Sequence, residues 1–423
     1  MGTPTRHTNL LIIGAGIAGT VLGVALARRG LACTIVDRSL SFRPQFRGEI
    51  IQPYGTLLLE RLGLLEQIRS VGSARVTRFV SAFPMIDGQP RAQQFVDPNT
   101  RLSNYAATCR HHLLYGALRT SLKQQPDVEL LEGWRVVRLS RQPDRRWSLE
   151  MLDPSGGRAR ISAGLVIGAD GARSLLHSVA DFGVRSVEAT TWLLGAVNRI
   201  GGPGDDTFHF CAGRQWAAYL FPLGRDTRRV SIHLPSEAVP LDRGDRESAF
   251  TRLLGDAALA LGIEAADTET VECLQAVPAP FLRTGTRCRD GLCLIGDAVG
   301  TVNPITGHGL TLACHDAVAL AEAVAELGGF GVEDQAALAE RLAAPDPYRQ
   351  EVQRFSDLLV EGCFAPWSDG GYRQLAAGFG AIPRLSLLLQ GVPWLEQLMR
   401  TQQRISEVLA ELSESLVGDP QPA

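Results

Sequence analysis

Residues 9–39 read NLLIIGAGIAGTVLGVALARRGLACTIVDRS, and this stretch decides the fold. Leu10 to Ile13 is an apolar run too short for a helix, with the texture of a buried parallel strand. Gly14-Ala15-Gly16-Ile17-Ala18-Gly19 follows, then an apolar helical stretch from Thr20 to Arg29 that Gly30 stops. A second apolar run, Cys33 to Val36, ends in Asp37 and Arg38.

The order strand, glycines, helix, strand, acid has a physical purpose. Gly14 permits a tight turn out of the strand, Gly16 lets a pyrophosphate approach the backbone, and Gly19 lets the helix pack hard on the strand. The helix N-terminus offers free N–H groups and the positive end of a dipole to phosphate. Asp37 stands where a carboxylate accepts the hydroxyls of an adenosine ribose. An acid there disfavours a 2′-phosphate, so the pattern predicts FAD or NAD rather than NADP at this site, bound by residues 14–19, Asp37 and Arg38.

The 423 residues suffice for two or three domains, and 45% hydrophobic with 21% charged residues fits a globular chain with a sizeable core. A formal charge of −3 gives no electrostatic case for nucleic acid or an anionic membrane. No apolar run reaches the roughly 18 uninterrupted residues of a membrane span. The first apolar run is the nucleotide-binding strand itself, so no signal peptide is read and a cytoplasmic location is expected. The eight cysteines form no C-x-x-C and no zinc-like cluster, so no metal site is expected and all are read as reduced, buried thiols.

Along the chain, a helix is expected over residues 54–68 and antiparallel strands or a hairpin over residues 75–94. His111 to Lys123 reads as a helix with Arg110 at its start. Leu165-Val166-Ile167 runs into Gly168-Ala169-Asp170-Gly171-Ala172-Arg173-Ser174 and a helix expected near Ser174. Residues 184–281 are β-rich, interrupted by a helix over residues 246–261. Leu292 to Ile295 is another buried strand, ending in Gly296-Asp297 and followed by Asn303-Pro304-Ile305-Thr306-Gly307-His308-Gly309-Leu310 and a long helix. The tail is helical, and its apolar residues from Trp394 to Leu416 suit a core or an interface.

Three glycine–acid motifs in this order resemble the single-component FAD-dependent monooxygenases, the family of 4-hydroxybenzoate hydroxylase and squalene epoxidase. The resemblance implies an α/β fold: a Rossmann-like FAD-binding domain (1–75, 106–183, 283–345) interleaved with a β-sheet substrate domain (76–105, 184–282), plus a helical C-terminal region (346–423). By position it implies that Arg47 lies by the flavin and Arg110 near the FAD phosphates. It implies that the Val136 backbone holds the adenine, that Asp170 serves FAD and pyridine nucleotide, and that Asp297 binds the ribityl chain. Gly309 and Leu310 match backbone contacts to the isoalloxazine. Gly296-Asp297-Ala298-Val299-Gly300 departs from the G-D-A-A-H of many phenol hydroxylases, and the segments around Arg47 and Pro304 look closer to the squalene-epoxidase and geranylgeranyl-reductase branches. No thioredoxin-like extension is expected after the tail.

The activity so implied is NADPH- or NADH-driven reduction of FAD, addition of O2 to give a C4a-hydroperoxide, and hydroxylation or epoxidation of a small hydrophobic aromatic, polyketide or prenylated molecule. The expected partners are that substrate and O2, with the chain a monomer or homodimer. His209, Trp216, Tyr219, Phe221 and Pro304 are candidates to line the substrate cavity, with plain packing the alternative for each; His209 or Tyr219 could take a proton from a substrate hydroxyl. His308 and His315 read as structural. A geranylgeranyl-type reductase, a halogenase and a flavin-binding protein without turnover are the rival readings. The halogenase would need a lysine in its active site, and the single lysine, Lys123, falls on the helix after Arg110.

Overall fold

A computed structural model describes residues 5–41, 48–85, 90–94, 105–200, 206–224, 226–263 and 269–364. Arg47 and the apolar stripe from Trp394 to Leu416 lie outside the described residues.

Among the described residues the helices are α1 (Ile17–Ala27), α2 (Pro53–Arg61), α3 (Leu65–Ser70), α4 (His111–Lys123), α5 (Arg243–Leu261), α6 (Gly309–Glu326), α7 (Gln335–Arg341) and α8 (Pro347–Phe364). The first sheet has a parallel centre. Leu292–Leu294, Arg158–Gly168, Thr5–Ile13, Cys33–Asp37 and Val128–Glu132 lie side by side in that order. Leu10–Ile13, Cys33–Val36, Leu165–Ile167 and Leu292–Leu294 are buried and almost wholly apolar, as strand segments covered on both faces require, while Val128–Glu132 at the edge is half-buried. α1 is buried from Ile17 through Leu26, so it needs no amphipathic stripe: it is sandwiched in the core formed with α4 and α6.

The second sheet has seven strands, in the order Glu269–Pro278, Thr191–Arg199, Thr227–Pro235, Trp216–Pro222, Thr207–Gly213, Arg78–Ala82, Arg91–Gln94. Side chains alternate across it, which divides it into two faces. One face carries Leu194, Ala196, Cys211, Leu220 and Ile232 under Phe250, Leu253 and Ala257 of α5. The other carries Phe79, Phe208, Phe210, Tyr219 and Phe221, and meets Ile50, Ile305 and the Leu359, Cys363 and Phe364 side chains of α8. This aromatic face is therefore the one turned toward the loops of the first sheet.

The α/β architecture and the two-sheet arrangement match the expected fold, with local differences. The helix expected over residues 54–68 is two helices, α2 and α3, because Gly63 takes the left-handed conformation at φ +65° and ends the first. Only a 3-10 turn, Leu175–Ser178, follows Asp170-Gly171, not a full helix. Arg78–Ala82 pairs with Arg91–Gln94 as a hairpin, and it also joins Thr207–Gly213 in parallel, a long-range pairing without a local signal. The cysteine expectation is corrected: Cys288 and Cys293 face each other across an antiparallel hairpin, Cα atoms 4.2 Å apart, and are joined in a disulfide. Cys33, Cys109, Cys211, Cys314 and Cys363 are free and buried, and Cys273 is free but exposed.

Candidate FAD site and the face opposite it

Parallel pairing brings the three glycine–acid motifs to one edge. Ala169 N donates to Ile13 O (2.8 Å), Ile295 N to Gly168 O (3.0 Å) and Gly14 N to Val36 O (2.8 Å), so the turns leaving all these strands are laced together. Gly14 sits at φ +100°, and a Cβ there would stand 2.7 Å from Ala169 O. A Cβ on Gly19 would meet Gly14 O at 1.9 Å, so helix–strand packing is as tight as the motif demands. Gly16 is different: a Cβ there would find no protein atom nearer than Ala169 O at 3.8 Å. The protein itself leaves that space open at the N-cap of α1, where no side chain satisfies the helix N–H groups.

The acids divide between backbone bonds and open valences. Asp37, buried at the strand end, accepts from Ala15 N and from Ser39 N, both at 2.6 Å, which fixes its carboxylate beside the first glycine turn. Arg38 beside it is exposed. Val136, on the strand Arg135–Arg141, packs in one cluster with Ile13 and Val36, and Trp134 N just before it donates to Asp37 O (3.1 Å), so this strand abuts the same edge. Asp170 accepts from Leu175 N through Oδ2 (2.8 Å), while its buried Oδ1 has no partner among the described residues. Burial raises the Asp170 carboxyl above the usual range, against the hydrogen bonds from Ser174 and Leu175 that favour its charge. Asp297 is exposed within the 3-10 turn Gly296–Ala298.

The third motif is braced from behind. Asp316 of α6 accepts from Gly296 N (2.7 Å) and forms a buried ion pair with Arg349 of α8. Arg349 also donates to Gly300 O (2.8 Å) and Gly296 O (3.2 Å). One guanidinium thus fixes both ends of the Gly296–Gly300 turn. Asp346 caps the start of α8 by accepting from Arg349 N (2.9 Å), and it also accepts from His315 Nε2 (2.8 Å), whose Nδ1 meets the Tyr54 hydroxyl (3.1 Å).

The loop ahead of α6 closes the site toward the second sheet. Asn303 caps the Pro304–Thr306 turn through Ile305 N (3.1 Å), and Gly307 at φ +63° turns the chain into α6. The first N–H groups of α6, at exposed Gly309 and buried Leu310, have no partner within the helix. His308 holds Thr306 O through Nδ1 (2.6 Å) and stands edge-on to Phe355, and His315 sits within the Tyr54–Asp346 chain, so both are structural as expected. Gln52 N donates to Thr311 Oγ1 (2.9 Å) in the first turn of α6 and Gln52 Nε2 to Gly307 O (3.4 Å), which seats residues 48–53 on this loop and helix start.

Of the substrate candidates, the structure brings three together. Tyr219 donates its hydroxyl to Pro304 O (3.2 Å), and Phe221 stacks beside it at 5.9 Å on the aromatic face. His209 and Trp216 do not join them. His209 alternates with Phe208 and Phe210 and shares the α5 face with Leu220, its cross-strand partner, while the Trp216 ring covers Gly213 on that same face. Neither is placed to meet a substrate beside Pro304. Arg110 does start α4, and its guanidinium is paired with Glu272 of the second sheet. Lys123 is paired with Glu132 at 2.7 Å on the far end of α4.

Sequence reading missed the charges behind this contact. Glu49 pairs with Arg229, which reaches on to Glu272 (3.4 Å), and Glu272 in turn holds Arg110. It also missed Arg349 and His233. A charge placed in an apolar alternating strand, as at Arg229, is the one signal that could have pointed to a buried pair.

The open space at Gly16, the unpartnered Asp170 oxygen and the bare helix N-termini fit a bound dinucleotide. The chain belongs to the family described as FAD binding domain, which matches residues 7–343. Among its relatives, squalene epoxidase erg1 of Aspergillus fumigatus is 25% identical over 74% of this chain and 66% of that protein. The 6-methylpretetramide 4-monooxygenase of Streptomyces rimosus is 27% identical over 74% of each chain. The p-nitrophenol 4-monooxygenase PnpA of Pseudomonas putida DLL-E4 superposes with a TM-score of 0.72 at 17% identity, over 99% of this chain and 100% of that one. These three similar proteins are named as an epoxidase and two monooxygenases. Among the described residues no helix is long and apolar enough to cross a membrane, and no group of three or more His, Cys, Asp or Glu is placed to hold a metal.

Proposed function

We propose that this chain uses FAD, reduced by NADPH or NADH, to insert one oxygen atom from O2 into a small hydrophobic molecule, as a hydroxyl or an epoxide. FAD, when bound, supplies the activation of O2 and the oxygen transfer. The protein supplies position, charge and dryness. Residues 14–19 and the α1 N-terminus would take the pyrophosphate, Asp37 the ribose, and Asp297 the ribityl chain. The α6 N-terminus at Gly309 and Leu310 would favour negative charge on the adjacent ring system.

The observation that carries this reading is the Tyr219–Pro304 hydrogen bond. It docks the loop that starts α6 against an apolar, aromatic sheet face, and this supports a hydrophobic substrate held beside the cofactor away from water. The test is an anaerobic titration of the FAD-loaded protein with NADH and NADPH, followed by O2. Flavin bands that bleach with one nucleotide and return with O2, with uptake stimulated by substrate, are expected. Reoxidation by an alkene without O2 consumption would reassign the chain as a prenyl-chain reductase, and failure to hold FAD would end the proposal.

A further inference from the structure

His233 lies on Thr227–Pro235 and is completely buried. It shares the aromatic face of the second sheet, since its cross-strand partners are Ala217 and Leu193 and its ring stands 5.1 Å from that of Tyr219. Neither of its nitrogens has a hydrogen-bond partner among the described residues. The other histidines near the flavin loops are tied: His111 to Gly48 O, His177 to Ala298 O, His308 to Thr306 O, His315 to Tyr54 and Asp346. A neutral imidazole carries one donor and one acceptor, and leaving both unmet in a core is costly enough that native proteins rarely do it.

Small residues lie beside the ring on the two neighbouring strands. Ala217 flanks it on one side, and Gly195 lies one strand over, opposite Ser231. The end of α8, through Leu359, Cys363 and Phe364, covers this face as part of the same cluster. Tyr219 joins the patch to Pro304 and hence to the start of α6.

We propose that His233 is the specificity-determining polar contact of the substrate cavity, hydrogen-bonding a hydroxyl or carbonyl group of an oxygenated aromatic or polycyclic substrate. This rests on the monooxygenase reading above. Burial lowers its basicity to about 3, so the ring stays neutral and offers both a donor and an acceptor. A plain hydrocarbon could not satisfy either nitrogen, so the same residue discriminates against it.

The test uses the full FAD-loaded protein and two probes of nearly equal shape, 2-naphthol and 2-methylnaphthalene, with binding read from the flavin difference spectrum. The wild type is expected to prefer 2-naphthol by at least about tenfold. His233→Leu is expected to bring the ratio within about threefold and to melt no lower than the wild type, because it removes two unmet polar atoms. His233→Asn, which keeps a donor and an acceptor, is expected to retain a preference. Equal affinities in the wild type, binding of neither probe, an unchanged ratio in His233→Leu, or failure of that variant to fold overturns the inference. Loss of the wild-type flavin bands, or of their recovery with O2, would instead fail the monooxygenase reading.

Discussion

Glu49 and Arg229 form a two-point ion pair, Nε to Oε2 at 2.6 Å and Nη2 to Oε1 at 2.9 Å, with almost no solvent access to either. The pair ties residues 48–53, which sit on the loop ahead of α6, to the middle of the second sheet. His111 N also donates to Glu49 (3.3 Å), so the carboxylate is held from both sides.

Removing one member of such a pair strands a buried charge. Arg229→Met is expected to destabilise the protein by about 3–5 kcal/mol in chemical denaturation. Glu49→Gln combined with Arg229→Met is expected to recover a large part of that loss. A double variant no better than Arg229→Met alone would show that the guanidinium stabilises through Glu272 instead.

Arg349 tests the brace behind the third motif. Arg349→Lys keeps the charge but cannot hold Asp316, Gly296 O and Gly300 O at once. FAD affinity is expected to fall several-fold, read by flavin release on dilution, together with a lower melting temperature. An unchanged flavin affinity would show that the Gly296–Gly300 turn is held without it.

The two glycines of the first motif should separate by phenotype. Gly19→Ala places a methyl 1.9 Å from Gly14 O and is expected to prevent correct folding. Gly16→Ala meets only ordinary contact at 3.8 Å, so the protein without FAD should melt as wild type, within about 2 °C, while FAD affinity falls by about tenfold or more. Normal FAD binding by Gly16→Ala would place the pyrophosphate elsewhere.

Asp346 gives a pH dependence with a definite sign. Burial works to raise its carboxyl, but the hydrogen bond and charge of His315, the Arg349 N–H and the Arg287 charge outweigh it and hold it well below the usual range. Its contribution to stability is complete above the ordinary aspartate value of about 3.9 and is lost as pH falls through the depressed folded value. Asp346→Asn should lower stability at neutral pH and flatten the acid limb of a stability–pH curve. An acid limb identical to wild type would remove Asp346 from this account.

The first motif was readable because its determinants are local. Strand, turn and helix are specified within about twenty residues, and Gly14 and Gly19 show the close approaches that such spacing demands. The helix from His111 to Lys123 was equally plain, since its apolar face repeats at helical spacing. Residues 54–68 were harder: Leu57, Leu58, Leu62 and Leu65 keep that spacing across a break that only the left-handed Gly63 reveals.

Local sequence specifies the βαβ nucleotide unit, the three glycine–acid turns and the alternation of the strands in the second half. Alternation puts Phe208 and Phe210 on one face and His209 on the other, a parity that the grouping of His209 with Tyr219 and Phe221 as cavity candidates did not use. Which face looks at the cofactor loops was decided only when α5 covered one side and Tyr219 reached Pro304. Alternation fixes parity along a strand, but the side that is buried against each neighbour depends on how the sheet docks. The pairings of Glu49 with Arg229, Asp316 with Arg349 and Cys288 with Cys293, and the unmet nitrogens of His233, likewise come from strand order and helix placement, because partners in space need leave no regular interval in sequence.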